Sequence, residues 1–141
     1  MGIAIAREAY AKILAAARKA GSMEACGLLG GAKGRVSAFY ELNNAAASNE
    51  QYRILPDEQL AAVKDMRKKG LEMLASWHSH PDTPARMSPE DLRLAYTSGL
   101  VHVIVSMMDA DNPDVRAYVV EDGRAVGIEL KIGFSAESKG R

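Results

Sequence analysis

The sequence predicts an α/β fold, a single domain in which a mixed β-sheet carries about three helices. Three observations predict it. Segments of helical period alternate with short runs of β-forming residues over the first two thirds of the chain. An Asp122-Gly123 hairpin signal joins two β-rich runs near the end. The 141 residues, 48% hydrophobic and 26% charged, suit one core rather than two or a disordered chain.

In order, Ile3–Ile5 reads as a short strand. From Arg7 to Ala20 the residues Tyr10, Ile13, Leu14 and Ala17 recur at helical spacing, and Gly21 is placed to stop the helix. Ala25–Gly30 is a buried strand entering a turn at its glycines, and Val36–Leu42 a strand closed by Asn43-Asn44. Residues 45–51 read as an exposed loop and Tyr52–Ile54 as a short strand. Pro56 opens a second helix that runs to about Lys69 with Leu60, Val63 and Met66 inward, and Gly70 ends it. Leu71–His78 is a strand, residues 81–88 a loop, and Pro89 to about Ser98 a third helix. Val101–Met107 is β-branched and central; Val115–Val120 and Ala125–Ile132 form the closing hairpin. The domain is expected to span 1–133, with 134–141 a frayed tail.

Composition excludes several function classes. Lys plus Arg and Asp plus Glu both number 18, so no charge imbalance points to a nucleic-acid partner. Cys26 is alone and cannot form an internal disulfide. No apolar run approaches the roughly 20 residues that span a bilayer, and the N-terminus does not read as a signal peptide. The expectation is a soluble, cytoplasmic protein without a membrane partner.

The chemistry concentrates in Trp77-His78-Ser79-His80-Pro81 and Ser88-Pro89-Glu90-Asp91. Two histidines two apart on an extended chain project to one side, about 6.6 Å apart along the strand. Paired imidazoles and a carboxylate suit zinc, and Asp91 supplies the carboxylate from the first turn of a helix. Two histidines and one carboxylate leave an open position for water, as catalytic zinc sites require. Ser88 and Asp91 also read as a capping box, with Met87 and Leu92 as a hydrophobic staple; a cap would hold both residues in the fixed geometry that catalysis needs. Ordinary structural readings are assigned to His102 (inside an apolar strand), Cys26 (a small buried hydrophobe) and Asp109, Asp111 and Asp114 (a solvated turn).

The whole pattern, His-x-His, seven residues, Ser-x-x-Asp, arises by chance on the order of once in ten thousand such chains. Its spacing resembles the JAMM motif of the MPN-plus (Mov34/PAD-type) zinc metalloproteases. Glu24-Ala25-Cys26-Gly27-Leu28-Leu29-Gly30 resembles that family's second signature, a glutamate ahead of an apolar strand ending in glycine. The resemblance covers about residues 3–132, as in a minimal prokaryotic member. It implies an MPN-like mixed, curved sheet flanked by helices, with one zinc ion held by His78, His80 and Asp91. It implies Glu24 as general base toward the activated water and Ser88 as donor to the oxyanion. It further implies an isopeptidase or peptidase that cuts after the C-terminal Gly-Gly of a ubiquitin-like or sulfur-carrier protein. An extended tail would lie in a groove beside the zinc, with strand addition as one mode of docking and Tyr52 and loop 45–51 as candidate contacts. Two alternatives remain open at this point: a non-catalytic MPN scaffold or binding module, and a RadC-like protein associated with DNA repair.

Overall fold

The structure, a computed structural model, describes residues 2–48, 52–93, 95 and 99–134. Its elements are β1 (Gly2–Ala6), α1 (Arg7–Ala20), β2 (Cys26–Ala32), β3 (Arg35–Leu42), α2 (Pro56–Lys68), β4 (Glu72–His80), α3 (Pro89–Arg93), β5 (Val101–Ser106), β6 (Asp114–Glu121) and β7 (Arg124–Phe134). The expected α/β class with a mixed sheet and three helices is what forms.

The sheet curls further than the sequence indicates. Strand order is β1-β3-β2-β4-β5-β6-β7, and β1 also pairs in parallel with β7, so the sheet closes on itself. Parallel pairs (β1–β3, β1–β7, β4–β5) mix with antiparallel ones (β2–β3, β2–β4, β5–β6, β6–β7). The turn expected at Asp122-Gly123 is present, and both residues have positive φ, 52° and 74°, as a two-residue hairpin of this hand needs.

The inner face of the sheet and the apolar stripe of α1 make the main core. Ile13, Ala16 and Ala17 of α1 meet Ile5, Leu29, Trp77, Val103 and Val119 there. On the outer face α2 covers Leu28 with Ala62 and Met66, and a second cluster gathers Ala85, Met87 and Ile104 under Leu92. The two outer clusters leave the β4 histidines between them: Cys26, His78 and Ile104 stand side by side on adjacent strands.

Several elements differ from expectation. Tyr52–Ile54 forms no strand: Arg53 N–H bonds Asn44 Oδ1 at 3.0 Å and its carbonyl accepts Ala45 N–H at 2.8 Å, so a loop contact takes the place of a ladder. Leu60 is 54% exposed, because it sits about 200° around the helix from the buried Ala62. β2 continues to Ala32, and β4 to His80. β7 reaches Phe134, whose ring lies 4.1 Å from the Arg35 guanidinium. α3 is described as Pro89–Arg93, and Ala95 is not helical, so the helix expected to run to about Ser98 does not continue through that position; residues 94 and 96–98, and the expected tail beyond Phe134, lie outside the described residues. No helix among the described residues is long and apolar enough to cross a membrane.

Gly27 is set by a close approach. A Cβ there would run into the Tyr40 carbonyl and the Trp77 indole, whose Nε1–H bonds that same carbonyl at 3.1 Å. Gly27→Ala is expected to destabilise the protein by about 3 kcal/mol or more, read as a lower urea midpoint; an unchanged midpoint would contradict this packing.

Candidate metal centre and active site

β4 supplies the first two groups. His78 and His80 alternate with Trp77 and Ser79, so the imidazoles project from the outer face while Trp77 enters the core. The third comes from α3, whose start is held by reciprocal bonds: Asp91 N–H donates to Ser88 Oγ at 3.0 Å, and Ser88 N–H donates to Asp91 Oδ2 at 2.9 Å. Met87 and Leu92 share the apolar cluster beneath. The cap brings Asp91 Oδ2 to 3.1 Å from His78 Nε2 and 3.2 Å from His80 Nε2, with the two nitrogens 3.2 Å apart.

This triangle fits zinc. Bonds of about 2.0–2.1 Å to a tetrahedral ion put neighbouring ligand atoms about 3.3 Å apart, close to all three edges observed. His80 Nδ1 donates to the Pro84 carbonyl at 2.9 Å, which turns the lone pair of Nε2 toward the triangle. His78 Nδ1 is buried without a partner among the described residues. The His78 ring is held instead by Tyr52, stacked with centroids 4.5 Å apart and planes at 24°.

The electrostatics follow from burial. His78, His80, Asp91 and Glu24 are 1%, 3%, 7% and 4% exposed. Burial pulls His78 below the ordinary imidazole value and outweighs the hydrogen bond to Asp91. Burial also acts downward on His80, but its bonds to Asp91 and to the Pro84 carbonyl leave it raised. Burial alone would raise Asp91; hydrogen bonds from both histidines and from Ser88 N–H hold it below the ordinary carboxylate range. Glu24 is pushed up from 4.5 to about 8, chiefly by burial, with His80 pulling down and Asp91 pushing up.

Glu24 stands just ahead of β2. Continuing the Cys26↔His78 register by two residues sets Glu24 opposite His80, on the same face. Its backbone is tied on both sides: its N–H donates to the Ser48 carbonyl at 2.9 Å, and its carbonyl accepts from Asn44 Nδ2 at 3.1 Å. Its Oε1 is buried without a partner among the described residues. Ser79 completes the tether. Its Oγ accepts Ala25 N–H at 2.8 Å and its N–H donates to the Ala25 carbonyl at 2.9 Å, so the His-x-His strand clasps the residue after Glu24.

Ser88 is half-buried, and it lines a cleft of about 240 Å³ with His80, Thr83 and Arg86. Its Oγ accepts from Asp91 N–H, which leaves the hydroxyl hydrogen free to donate elsewhere. A second cleft, about 300 Å³, lies on the His78 side and includes Tyr52, Ser76 and His102. Its lining comes from β2, β4, β5, the start of α2 and residues 52–54. Cys26 is fully buried, its thiol pushed up to about 12 by burial and neighbouring carboxylates, which fits the small-hydrophobe reading.

The structure therefore brings His78, His80 and Asp91 together, with Ser88 bonded to Asp91 and Glu24 in register with His80. Sequence reasoning missed two supporting residues. Ser79 could have been found from its place between the two histidines, facing inward. Tyr52 was singled out only as a possible groove contact, and its stacking on His78 has no sequence signal.

A His-x-His strand with a capped aspartate on this curled sheet defines a hydrolase of the JAMM metallopeptidase class. The chain belongs to the prokaryotic homologs of the JAB domain, which it matches over residues 6–121. It is 33% identical over 113 residues to the CysO-cysteine peptidase of Mycobacterium tuberculosis, covering 79% of this chain and 77% of that protein. It is 26% identical over 111 residues to the desampylase of Pyrococcus furiosus, covering 79% and 76%. Among solved structures, a protein from Desulfitobacterium hafniense superposes with a TM-score of 0.86 at 40% identity, over 96% of this chain and 97% of that one. A structure described as a metalloprotease-like zinc site in the proteasome and signalosome gives 0.56 at 25% identity, over 92% and 98%.

Two outcomes follow for the protein without metal. Because Glu24 is raised in the folded state, the unfolded chain binds fewer protons between pH 4.5 and about 8, and folding loses stability as pH rises through that window. Glu24→Gln removes this loss, so the variant should gain on the parent by up to about 4 kcal/mol at pH 8 but little near pH 4.5. Urea denaturation at the two pH values measures it, and a gap independent of pH would refute it. Ser79→Ala leaves Ala25 N–H unpaired and should cost about 1–3 kcal/mol, read by the same method at pH 7.

Proposed function

We propose that this protein is a zinc-dependent peptidase or isopeptidase that hydrolyses the amide bond after the C-terminal Gly-Gly of a ubiquitin-like or sulfur-carrier protein. The observation that carries the chemistry is the buried triangle of two imidazole nitrogens and one carboxylate oxygen, sized for zinc, with Glu24 opposite His80 and its Oε1 without a partner among the described residues. The substrate class rests on the two relatives, whose names describe a CysO-cysteine peptidase and a desampylase.

In this reading His78, His80 and Asp91 hold the metal. Bound zinc supplies Lewis acidity, polarising a carbonyl and lowering the pKa of water toward about 7. Glu24 Oε1 accepts the proton of the attacking water and returns it to the leaving amine. Burial serves that role, since a carboxylate raised toward neutrality can both take and give a proton at neutral pH. The Ser88 hydroxyl, fixed by its bond from Asp91 N–H, donates to the developing oxyanion. The two flanking clefts give room for the carrier tail on one side and the leaving group on the other.

A scaffold without catalysis finds no support in a complete donor set, and the RadC-like alternative gains none from a net charge of zero.

The test uses a Gly-Gly carrier joined by an amide to cysteine or to a lysine side chain. The zinc-loaded protein should release the carrier, chelation should stop it, and added zinc should restore it. Glu24→Gln should keep one zinc per chain and lose about 10²–10⁴ in kcat, whereas His78→Ala should lose the zinc. Equal cleavage by parent and Glu24→Gln would remove Glu24 from the mechanism, and failure on every Gly-Gly conjugate would overturn the substrate assignment.

A further inference from the structure

We propose that the cleft beside His78 is the subsite for the residue immediately before Gly-Gly, and that His102 makes it select a side chain with an apolar body and a hydroxyl tip. The inference rests on the tail-cleaving function proposed above and deepens it by naming what the tail must carry.

Placement comes from the strands. Ser76, His78 and His80 alternate on β4 and share its outer face, and Ser76 is paired with His102 on β5. Ser76 lies two residues back from His78, about 6.6 Å along the strand. An extended tail with its last carbonyl at the metal triangle advances by about the same length over two residues. Its side chains alternate, so the residue on the same side as the final glycine is the third from the end. The two glycines carry no side chain, which makes this third residue the first able to enter a pocket. The cleft begins there: Tyr52, stacked on His78, forms the wall shared with the metal site.

Selectivity comes from the lining. Leu28, Met73 and Leu100 give apolar walls, and about 300 Å³ leaves room for an aromatic ring. At the sheet stand Ser76 and His102. His102 is 94% buried; its Nδ1 is 3.4 Å from Ser76 Oγ, and its Nε2 has no partner among the described residues. One imidazole nitrogen thus has an unused hydrogen bond at the sheet side of a lining that also carries Tyr52, Arg53, Gln59 and Ser76. A hydroxyl satisfies it in either tautomer, because it can donate or accept. A cation is disfavoured by Arg53 at the same cleft.

The test measures tail binding apart from cleavage. Fluorescent peptides ending in Thr-Gly-Gly, Val-Gly-Gly, Tyr-Gly-Gly, Phe-Gly-Gly or Lys-Gly-Gly are titrated against the zinc-loaded protein by polarisation. At least one hydroxyl peptide should bind about tenfold tighter than its isostere, and the Lys peptide weakest. His102→Leu should abolish the discrimination, and His102→Gln, which keeps a hydrogen-bonding tip, should retain part of it. Equal binding within both isosteric pairs, discrimination that survives His102→Leu, or no binding of any peptide would overturn the subsite; the parent's own selectivity decides even if a variant fails to fold. Cleavage of the matching conjugates separates the two readings. Hydrolysis without discrimination fails the subsite alone, and discriminating binding without hydrolysis fails the hydrolase reading alone.

Discussion

Two imidazole nitrogens and a carboxylate oxygen held 3.1–3.2 Å apart, in surroundings that shut out water, must share a positive charge among them. A proton can satisfy two of the three at a time; a divalent cation satisfies all three. The rest of the site is organised around that requirement. Asp91 is held below the ordinary carboxylate range by the two imidazoles and the Ser88 N–H around Oδ2, and His80 is oriented by a backbone carbonyl behind it. The charges that would otherwise be ruinous to bury are kept in place by hydrogen bonds from both sides.

The fold meets this demand by giving the sheet two different faces. Inward, alternate residues of seven strands and the stripe of α1 make the core that holds the molecule together. Outward, two smaller clusters seat α2 and α3 and leave the histidines in the valley between. The rigid elements therefore carry the chemistry: two groups from one strand, a third from a capped helix start, and Glu24 fixed by a serine that crosses from the opposite side of β4. Ser79 has a dual position in consequence. It separates the two histidines in sequence and joins their strand to Glu24 in space.

The two clefts divide the surroundings unevenly. The one with His80 and Ser88 is small and lies over the proposed oxyanion donor. The one with Tyr52, Ser76 and His102 is larger, and the buried His102 Nε2, unmatched among the described residues, gives it chemical character. Tyr52 lines the second cleft and stacks on His78 of the metal triangle. Its phenol, pushed up to about 12 by burial and the charge of Asp91, stays neutral and serves as a flat wall.

Much of this was legible in the linear pattern because the relevant physics is local. Alternation puts His78 and His80 on one side of a strand, a capping box starts α3 at Ser88, and Asp-Gly turns the last hairpin; each needs only neighbours in sequence. Leu60 and Tyr52–Ile54 were misread since their surroundings are set from elsewhere: a helix turned so that Ala62 and Met66 face the sheet, and a loop captured by Asn44. The closure of β1 on β7, the clasp of Ser79 on Ala25 and the stacking of Tyr52 on His78 join residues 26 to 128 positions apart. No spacing rule reports such contacts. They exist only once the sheet has curled, because curvature, not composition, decides which distant side chains come within reach of one another.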